Sequence, residues 1–533
     1  METTLLLFGG IIVLCMLLNR YIDKLPTPSL LIFILLGMLF GENGLFQIEF
    51  NDYRIANDIC TFALIFIMFY GGFGTNIREA KPVIGHSILL STVGVALTAG
   101  ITGALIHFLL GLSWLESFLF GSVIASTDAA SVFTLLRTRN LNLKHNTASL
   151  LEVESGSNDP MSYMLTVVFV SALLGSDVSV PLMLFKQITI GIIFGVAIAY
   201  GATAILRHIN FSMAQGGTIF LVGISILAYA LPTIFDGNGY LSAYLSGILL
   251  GKMYFPGKRD LTRFYDVITN LSQVMVFFLL GLLVTPAELP NTFIPALIIM
   301  LILTFIARPL SVYGVLRPFS CNMLQITLVS WAGLRGVASI VFSIYVVLSG
   351  IPLTYNIFDI VFCIVILSMA FQGTLLPKMS SLLNMIDDNV DVRKTFNFYQ
   401  EEININFNRV EVPKNHPWAH QCIRDLAMPP ETLIVLIIRN KNNFIAPSGN
   451  TAILPGDRLV IASKKFENRA NLSLREVPIT SNHLLKDKQL KDASQYLNQG
   501  ELIVLVQRDN DNIIPAGNTL ILEGDTIVVA QFE

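Results

Sequence analysis

The chain has 533 residues, a mean hydropathy of +0.65 and only 13% charged residues, which excludes an ordinary soluble globular protein. Its net charge of −3 gives no indication of nucleic-acid binding. The charges are unevenly spread: residues 1–380 hold 18 basic and 18 acidic side chains, whereas the remaining 153 residues hold 16 and 19. We therefore predict a transmembrane domain at 1–380, a linker at 381–405 and a polar tail.

Thirteen segments of the first domain are long and apolar enough to cross a bilayer as helices, which predicts an all-α polytopic membrane protein. The first segment lacks the basic start and cleavage site of a signal peptide, so we expect it to be retained. The spans are predicted at 3–22, 28–46, 56–76, 84–110, 115–137, 147–174, 182–206, 216–234, 239–256, 266–285, 291–316, 323–349 and 356–380.

The positions of lysine and arginine indicate how these spans are oriented. With the N-terminus outside, fourteen basic residues of the loops and span ends fall inside and only Arg54 and Lys186 fall outside. This bias places the tail in the cytoplasm, and we expect a multi-pass protein of a bacterial cytoplasmic membrane. Arg308 and Arg335 lie within spans and need a separate explanation.

Span 6 opens with EVESGSNDPM, residues 152–161, and carries more charge than any other span. Placing a charged side chain near the bilayer centre costs about 2.5–3.5 kcal/mol. Such a residue is therefore expected where it is paired with an opposite charge, hydrated or required for function. At 100° per residue, Glu154, Ser155, Asn158 and Asp159 occupy one polar face. We interpret this face as the wall of an ion-binding cavity. The alternative is a hydrogen-bonded cluster that only holds helices together.

Spans 5 and 12 each surround one charge with small residues, in GSVIASTDAASVF (121–133) and SWAGLRGVASIVF (330–342). Small residues permit close helix crossing and local unwinding. The two spans are seven apart and cross the membrane in opposite directions. This pattern is typical of inverted repeats, here spans 4–6 and 11–13, with crossed broken helices.

These residue types predict a site for a hard monovalent cation, which prefers carboxylate, hydroxyl and freed carbonyl oxygens. Proton and cation can compete for one such carboxylate, which is the requirement for exchange. Arg308 can neutralise Glu154, and Arg335 can offset the partial charges of broken helix ends. The predicted oxygen donors are Asp128, Asp159, Thr127 and Ser155.

Four pieces of the sequence resemble the NhaP-type monovalent cation:proton antiporters, particularly the potassium/proton subgroup. The resemblance implies that Asp159 binds the ion and the proton and that Asp128 assists it. It also implies that Thr127 and Ser155 contribute ligand oxygens. The matching pieces are STDA (126–129), ESGSND (154–159), FIAR (305–308) and GLRG (333–336).

The same resemblance implies an intramembrane ion pair of Glu154 with Arg308, and an Asn158 that holds the crossed helices. The Asn-Asp pair is similar to the pair in the electroneutral branch of the family, whose members exchange one proton per cation. The family is homodimeric and moves its ion site by elevator-like rocking of one bundle. Ala129 departs from the proline that many members carry after Thr-Asp, so the geometry of that break is not predicted.

The tail contains an internal repeat between residues 433–462 and 502–530. Each copy has a β-branched strand, a polar turn, a Gly-Asn-Thr motif and a Gly-Asp turn before another strand, which predicts two α+β modules at 406–466 and 467–533. Both resemble the TrkA-C (RCK C-terminal) module of potassium transport proteins. No cofactor is predicted, and two interpretations of the tail remain open: a small regulatory nucleotide binds it, or it is a ligand-free dimer clamp.

Three other functions can be weighed against antiport. A ligand-gated cation channel would share the tail, but no TVGYG-like filter is present. A proton-coupled solute carrier would keep Asp159 and should need aromatic cavity walls. An enzyme is not expected, because the spans hold no HExxH or GxSxG motif. The sequence favours K⁺ through the subgroup resemblance and leaves Na⁺ open.

Overall fold

The computed structural model of the protein falls into two compact units, Met1–Glu401 and Glu402–Glu533. The described residues are 9–10, 13, 29–42, 44–45, 47–48, 50–75, 80–128, 131–132, 135–136, 141–175, 179–208, 216–253, 258–287, 289–387, 405–414, 416–426, 428–429, 432–439, 443–464, 472–481, 483–493, 496, 501–508, 511–513 and 516–532. Most of predicted span 1 and Ala129 lie outside these residues.

The described part of the first unit is helical throughout its apolar segments. Three of its helices include a π-helical stretch, treated below. The helices are α1 Ser29–Phe40, α2 Tyr53–Gly74, α3 Ile84–Leu110, α4 Trp114–Val123, α5 Thr147–Leu173, α6 Val180–His208, α7 Gly216–Ile234, α8 Gly239–Lys252, α9 Lys258–Leu283, α10 Leu289–Phe319, α11 Met323–Trp331, α12 Val337–Leu348 and α13 Ile357–Leu382.

Among the described residues, seven helices are long and apolar enough to cross a membrane: α2, α3, α6, α7, α9, α10 and α13. The predicted number of thirteen spans is therefore not confirmed. Each of predicted spans 2–13 nevertheless contains a described helix. The remaining helices are short, or, in the case of α5, carry acidic residues that lower the hydropathy.

Two of the predicted spans are interrupted by non-helical backbone. Helix α4 ends at Val123, and residues 125–128 are not helical before helix returns at 131–132. Helix α11 ends at Trp331, and residues 333–336 are not helical before α12 begins. The breaks coincide with the small-residue stretches, where few side chains support the helix and the freed backbone groups find partners in neighbouring helices.

The membrane helices pack in two groups, with α1, α2 and α6–α9 in one and α3–α5 with α10–α13 in the other. In the first group, α2 and α8 cross at Gly72 and Gly247. A methyl group on either glycine would overlap the carbonyl of Tyr244 or Phe69 on the facing helix. Small residues therefore allow these two backbones to approach closely, as membrane helix pairs commonly do.

A π-helical turn occurs in the first helix of each predicted repeat. Helix α3, which opens the first repeat, contains Leu90–Gly94, and α10, which opens the second, contains Leu303–Ala307. A third π-helical stretch, Met369–Gly373, lies in α13. Such single-turn widenings redirect the following side chains and are frequent at functional sites. Here the second and third directly precede or contain residues of the site described below.

The chain that leaves α13 returns to the loop that begins α5. The amide of Lys144 donates to the carbonyl of Met385 at 2.8 Å. The amide of Asp387 donates to the carbonyl of Asn142 at 2.9 Å. The Met385 side chain is only 1% exposed. The last described residues of the membrane unit are thus fixed to the start of the helix that carries Asp159.

The second unit contains two four-stranded antiparallel sheets of identical topology, with strand orders β1-β4-β2-β3 and β5-β8-β6-β7. The strands are β1 Ile405–Glu411, β2 Thr432–Arg439, β3 Asn443–Ile445, β4 Arg458–Lys464, β5 Leu472–Pro478, β6 Glu501–Arg508, β7 Asp511–Ile513 and β8 Thr526–Phe532. Among the described residues, helix is limited to one α-helical turn, Leu490–Ala493, and a short 3₁₀ turn, so the tail is richer in strand than the predicted α+β units.

The repeated Gly-Asp motif of the tail forms the turn before the last strand of each sheet. Gly456 and Gly524 adopt φ values of +92° and +90°, a region that strongly favours glycine. The aspartate that follows caps the turn: Asp457 accepts from the amide of Leu454 at 2.8 Å, and Asp525 from that of Leu522 at 2.7 Å. The internal repeat seen in the sequence is therefore a repeat of structure.

Candidate ion-binding site

The two interrupted helices cross at their non-helical stretches. The amide of Asp128 donates to the carbonyl of Leu334 at 2.8 Å. In the other direction, the Arg335 guanidinium donates to the carbonyls of Ile124 and Ser126 at 2.5 and 2.7 Å. The backbone groups freed by each break are thus satisfied by the other, which is the condition for non-helical backbone inside a membrane.

Helix α13 fixes the second break. The amide of Arg335 donates to Ser368 Oγ at 3.2 Å, and Ser368 Oγ donates to Gln372 Oε1 at 2.6 Å. Gln372, in the π-helical stretch, also exchanges two hydrogen bonds with Trp331 at the end of α11, at 3.2 and 3.3 Å. The wider π turn therefore supplies the groups that hold the chain where it leaves α11.

Asp159 lies in the middle of α5 and faces the first break. Its carboxylate is 6% exposed and accepts a hydrogen bond from Ser126 Oγ at Oδ1. The carboxylates of Asp128 and Glu154 are near enough to interact electrostatically with it. Three acidic groups thus share one buried region, which holds them stably only when charges are paired, protonated or bound to cations.

Glu154 is the acid of this group that is paired. Arg308 donates from Nη1 to Oε1 and from Nη2 to Oε2, each at 3.0 Å, and both side chains are 1% exposed. Two parallel charge-assisted bonds of this kind are among the strongest side-chain contacts. Asn158 Nδ2 also donates to Glu154 Oε1 at 3.2 Å and to Thr127 Oγ1. Glu154 is therefore neutralised, and Asn158 joins α5 to the first break.

Thr127 and Ser155 contact each other directly across the break. Ser155 Oγ donates to the carbonyl of Thr127 at 2.5 Å, while Thr127 Oγ1 accepts from Asn158. Both residues are buried, at 4% and 5% exposure. The structure thus brings the residues predicted from the sequence into one cluster: Asp159, Asp128, Thr127, Ser155, Asn158, Glu154, Arg308 and Arg335.

Asp128 has a second structural role that the sequence did not indicate. Ser131 donates to it from Oγ to Oδ2 at 2.5 Å and from the backbone amide to Oδ1 at 3.4 Å. A carboxylate that accepts the amide three residues later is a helix N-cap. Asp128 therefore begins the second half of the interrupted helix as well as facing the site.

Other residues of the site were missed because they are uncharged. Ser126 and Ser131 donate to predicted carboxylates, and Ser368 and Gln372 fix the backbone at Arg335 and Trp331, yet none of the four gives a charge signal. Gly336 lies so close to Asp128 that a methyl group there would overlap the Asp128 side chain. Ser126 alone had a usable signal, since it precedes Thr127-Asp128 within the predicted break.

The donor atoms of the site are of the kind that hard cations prefer. Its groups are carboxylate, hydroxyl and carbonyl oxygens, without thiolate or imidazole. Within the described ranges, no three histidine, cysteine, aspartate or glutamate side chains are grouped so as to hold a metal ion. The four described cysteines are free thiols.

The crossed breaks, the buried ion pair and the acidic cluster define a helical membrane transporter. The chain belongs to the family described as "Sodium/hydrogen exchanger, transmembrane", which matches residues 10–381. Residues 408–465 and 474–530 each match the TrkA-C domain. The resemblance inferred from the sequence is therefore confirmed, and the protein is a multi-pass membrane antiporter and not an enzyme.

Named relatives match most of the chain. The chain is 36% identical over 388 residues to the K(+)/H(+) antiporter NhaP of Alkalimonas amylolytica, covering 72% of this chain and 67% of the relative. It is 33% identical over 479 residues to the K(+)/H(+) antiporter NhaP2 of Shewanella oneidensis, covering 86% and 80%. The second match reaches well into the tail.

The membrane unit is also similar to a solved structure, that of the sodium proton antiporter MjNhaP1 from Methanocaldococcus jannaschii. The TM-score is 0.64 at 25% sequence identity, and the alignment covers 72% of this chain and 99% of the other. The helical transporter fold predicted from the sequence is therefore confirmed at the level of this shared fold.

Proposed function

We propose that the protein exchanges K⁺ for H⁺ across the bacterial cytoplasmic membrane, with Na⁺ as the competing substrate. Asp159 binds the proton and the cation alternately, and Asp128 assists it. Thr127 and Ser155 supply further oxygens. The relatives named above support K⁺, because those that match most of the chain are named K(+)/H(+) antiporters.

The pairing of Glu154 with Arg308 is the observation that carries this proposal. Because the Arg308 guanidinium occupies both oxygens of Glu154, that acid does not compete for the transported ion. Asp159 instead has a neutral hydroxyl donor at one of its oxygens. One carboxylate per subunit that alternates between H⁺ and a monovalent cation gives one-for-one, electroneutral exchange.

Several structural features extend the proposal. We infer thirteen spans with the N-terminus outside and the tail in the cytoplasm, from the distribution of basic residues. We also infer a homodimer, in which the helix group containing α5 moves against the group containing α2. The division of the membrane helices into two groups supports a moving and a fixed part.

Regulation by the tail forms part of the same proposal. The chain between α13 and the tail is hydrogen-bonded, through Met385 and Asp387, to the loop that begins α5. A change in the tail can therefore act on the start of the helix that carries Asp159. We propose a small nucleotide as the ligand class. Calorimetric titration of the purified chain with nucleotides, paired with exchange assays, tests this: a nucleotide that binds should change the exchange rate.

Exchange in proteoliposomes tests the central proposal. A pH-sensitive dye is trapped inside, and K⁺, Na⁺ or Li⁺ is added outside to wild type and to Asp159→Asn. Cation-driven proton movement that is lost in Asp159→Asn supports antiport, and the cation that is effective at the lowest concentration identifies the substrate. Asp266→Asn is the matched control, because Asp266 lies in α9, away from the site, and accepts a 3.3 Å bond from the Tyr70 hydroxyl.

Electroneutrality is tested in the same vesicles by clamping the membrane potential. An exchange rate that is unchanged between zero and inside-negative potential supports one proton per cation. Cation flux that persists in Asp159→Asn, or flux without proton movement, would contradict the carrier mechanism and favour the channel alternative. Exchange that requires an organic solute would favour the solute-carrier alternative.

A further inference from the structure

The hydroxyl of Ser126 is satisfied differently from those of several buried residues in the membrane helices. Ser122, Thr166 and Ser311 each donate to the carbonyl four residues earlier in their own helix, at 2.7–2.8 Å. This is the usual way in which a helical hydroxyl is satisfied inside a membrane. Ser126 lies in the non-helical stretch and donates instead to Asp159 Oδ1 on another helix, although it is only 2% exposed.

Arg335 holds the backbone of Ser126, and the hydrogen bond to Asp159 holds its side chain. Arg335, which is 2% exposed, holds the carbonyl of Ser126 at 2.7 Å and that of Ile124 at 2.5 Å. The position of the Ser126 Cα is therefore set by the second break. A change of side-chain rotamer is the low-energy movement by which its hydroxyl can respond to an ion at Asp159.

We propose that Ser126 is a direct cation ligand whose hydroxyl donates a hydrogen bond to Asp159 when no cation is bound. A hydroxyl carries one donor and two acceptor lone pairs, so it can satisfy a bare carboxylate and then present oxygen to a cation at the same carboxylate. Thr127 offers less freedom, because its hydroxyl accepts from Asn158 and its carbonyl accepts from Ser155. The inference rests on the proposed antiport at Asp159.

The test is the dependence of exchange on K⁺ concentration in proteoliposomes at one fixed pH. For Ser126→Ala we expect the half-saturating K⁺ concentration to rise about 5- to 10-fold, since one ligand is lost, with a maximal rate within about twofold of wild type. Ser126→Thr, which keeps a hydroxyl, should restore the wild-type value. Ser122→Ala removes a buried hydroxyl one helical turn earlier and should leave both parameters unchanged.

A binding measurement keeps the inference testable if exchange is too weak. K⁺ should raise the thermal unfolding midpoint of purified wild-type protein, and this rise should shrink in Ser126→Ala and in Ser126→Cys, whose soft sulfur is a poor ligand for a hard cation. Unchanged half-saturation in Ser126→Ala overturns the inference. A fall in maximal rate alone, or a defect that Ser126→Thr does not correct, also overturns it, because either indicates a packing role. If the Asp159→Asn variant exchanges at the wild-type rate, the proposed function itself is overturned.

Discussion

The backbone amide of Asp128 donates a 2.8 Å hydrogen bond to the carbonyl of Leu334, so the two interrupted helices are joined at the residue that faces the site. Arg335, the next residue after Leu334, returns two bonds to the carbonyls of the first break. Neither break can be displaced without loss of backbone hydrogen bonds in a region without water. The site is therefore held by the pair of breaks, and we expect it to move as one unit.

Asp128 both caps a half-helix and contributes charge, and two substitutions separate these roles. Asparagine is as good an N-cap as aspartate, whereas alanine is not. We expect Asp128→Asn to keep the stability of the fold but to lose most exchange, and Asp128→Ala to lose exchange and, in addition, about 0.5–2 kcal/mol of stability. Proteoliposome exchange and thermal unfolding measure the two effects. An Asp128→Asn variant with normal exchange would reduce the role of Asp128 to capping.

Gly336 leaves room for Asp128. Its φ of −146° and ψ of −154° are open to any residue, so only space restricts the position. A methyl group there would overlap Cβ and Oδ2 of Asp128. We expect Gly336→Ala to displace the carboxylate and to reduce exchange by on the order of 10-fold or more, since misplaced groups in preorganised sites have large effects.

The matched control for Gly336 is Gly314→Ala in α10, where an added methyl group has no atom within 4 Å. We expect this variant to insert into the membrane, to stay folded and to exchange ions at the wild-type rate. If Gly336→Ala exchanged equally well, Asp128 would not need its present position.

Replacing one partner of the Glu154–Arg308 pair should cost more stability than replacing both partners together. Glu154→Gln leaves a buried guanidinium without its counter-charge, for which we expect a loss of about 3–5 kcal/mol of stability, and Arg308→Gln should cost a similar amount. The double variant should lose clearly less than the sum, because it contains no unpaired charge. Thermal unfolding of the four proteins in detergent gives this double-mutant cycle.

The exposed pair Lys186–Asp236 serves as the reference for that cycle. Its side chains are 48% and 80% exposed, so solvent already stabilises each charge. We expect Asp236→Asn to change stability by only about 0–1 kcal/mol. A coupling energy at Glu154–Arg308 that is no larger than this would contradict the view that the pair neutralises a buried charge.

The sequence predicted the charged part of the site well, because an ionised group inside a membrane is rare enough to be noticed. Asp159, Glu154 and Arg308 stood out for this reason, and the structure places them together. Ser368 and Gln372 could not be found in this way, since their contacts depend on a π turn that leaves no pattern in neutral residues. The tail was predicted as a repeat of strands and turns, and its described residues form two sheets of the same topology.

The tail contains a pH-sensitive ion pair in its second sheet. Arg508 donates two 2.8 Å hydrogen bonds to Asp525, whose side chain is 1% exposed. These bonds hold the pKa of Asp525 below its usual value. A carboxyl group whose pKa is lower in the folded protein stabilises it above the unfolded-state pKa of about 3.9. That contribution is lost as the pH falls through the lower, folded-state pKa.

We therefore expect Asp525→Asn to weaken the second sheet near neutral pH by on the order of 1–2 kcal/mol, since Arg508 is partly exposed to solvent. The difference between variant and wild type should narrow as the pH falls from about 4 towards the lower folded-state pKa, because Asp525 of the unfolded wild-type chain is then protonated more readily than that of the folded protein. Hydrogen exchange of the amides in β6 and β8 of the full chain, corrected for intrinsic rates, measures this. Asp425→Asn, at a residue 60% exposed, is the control and should leave protection unchanged. Equal protection of Asp525→Asn and wild type at neutral pH would show that the Arg508 pair does not stabilise the sheet.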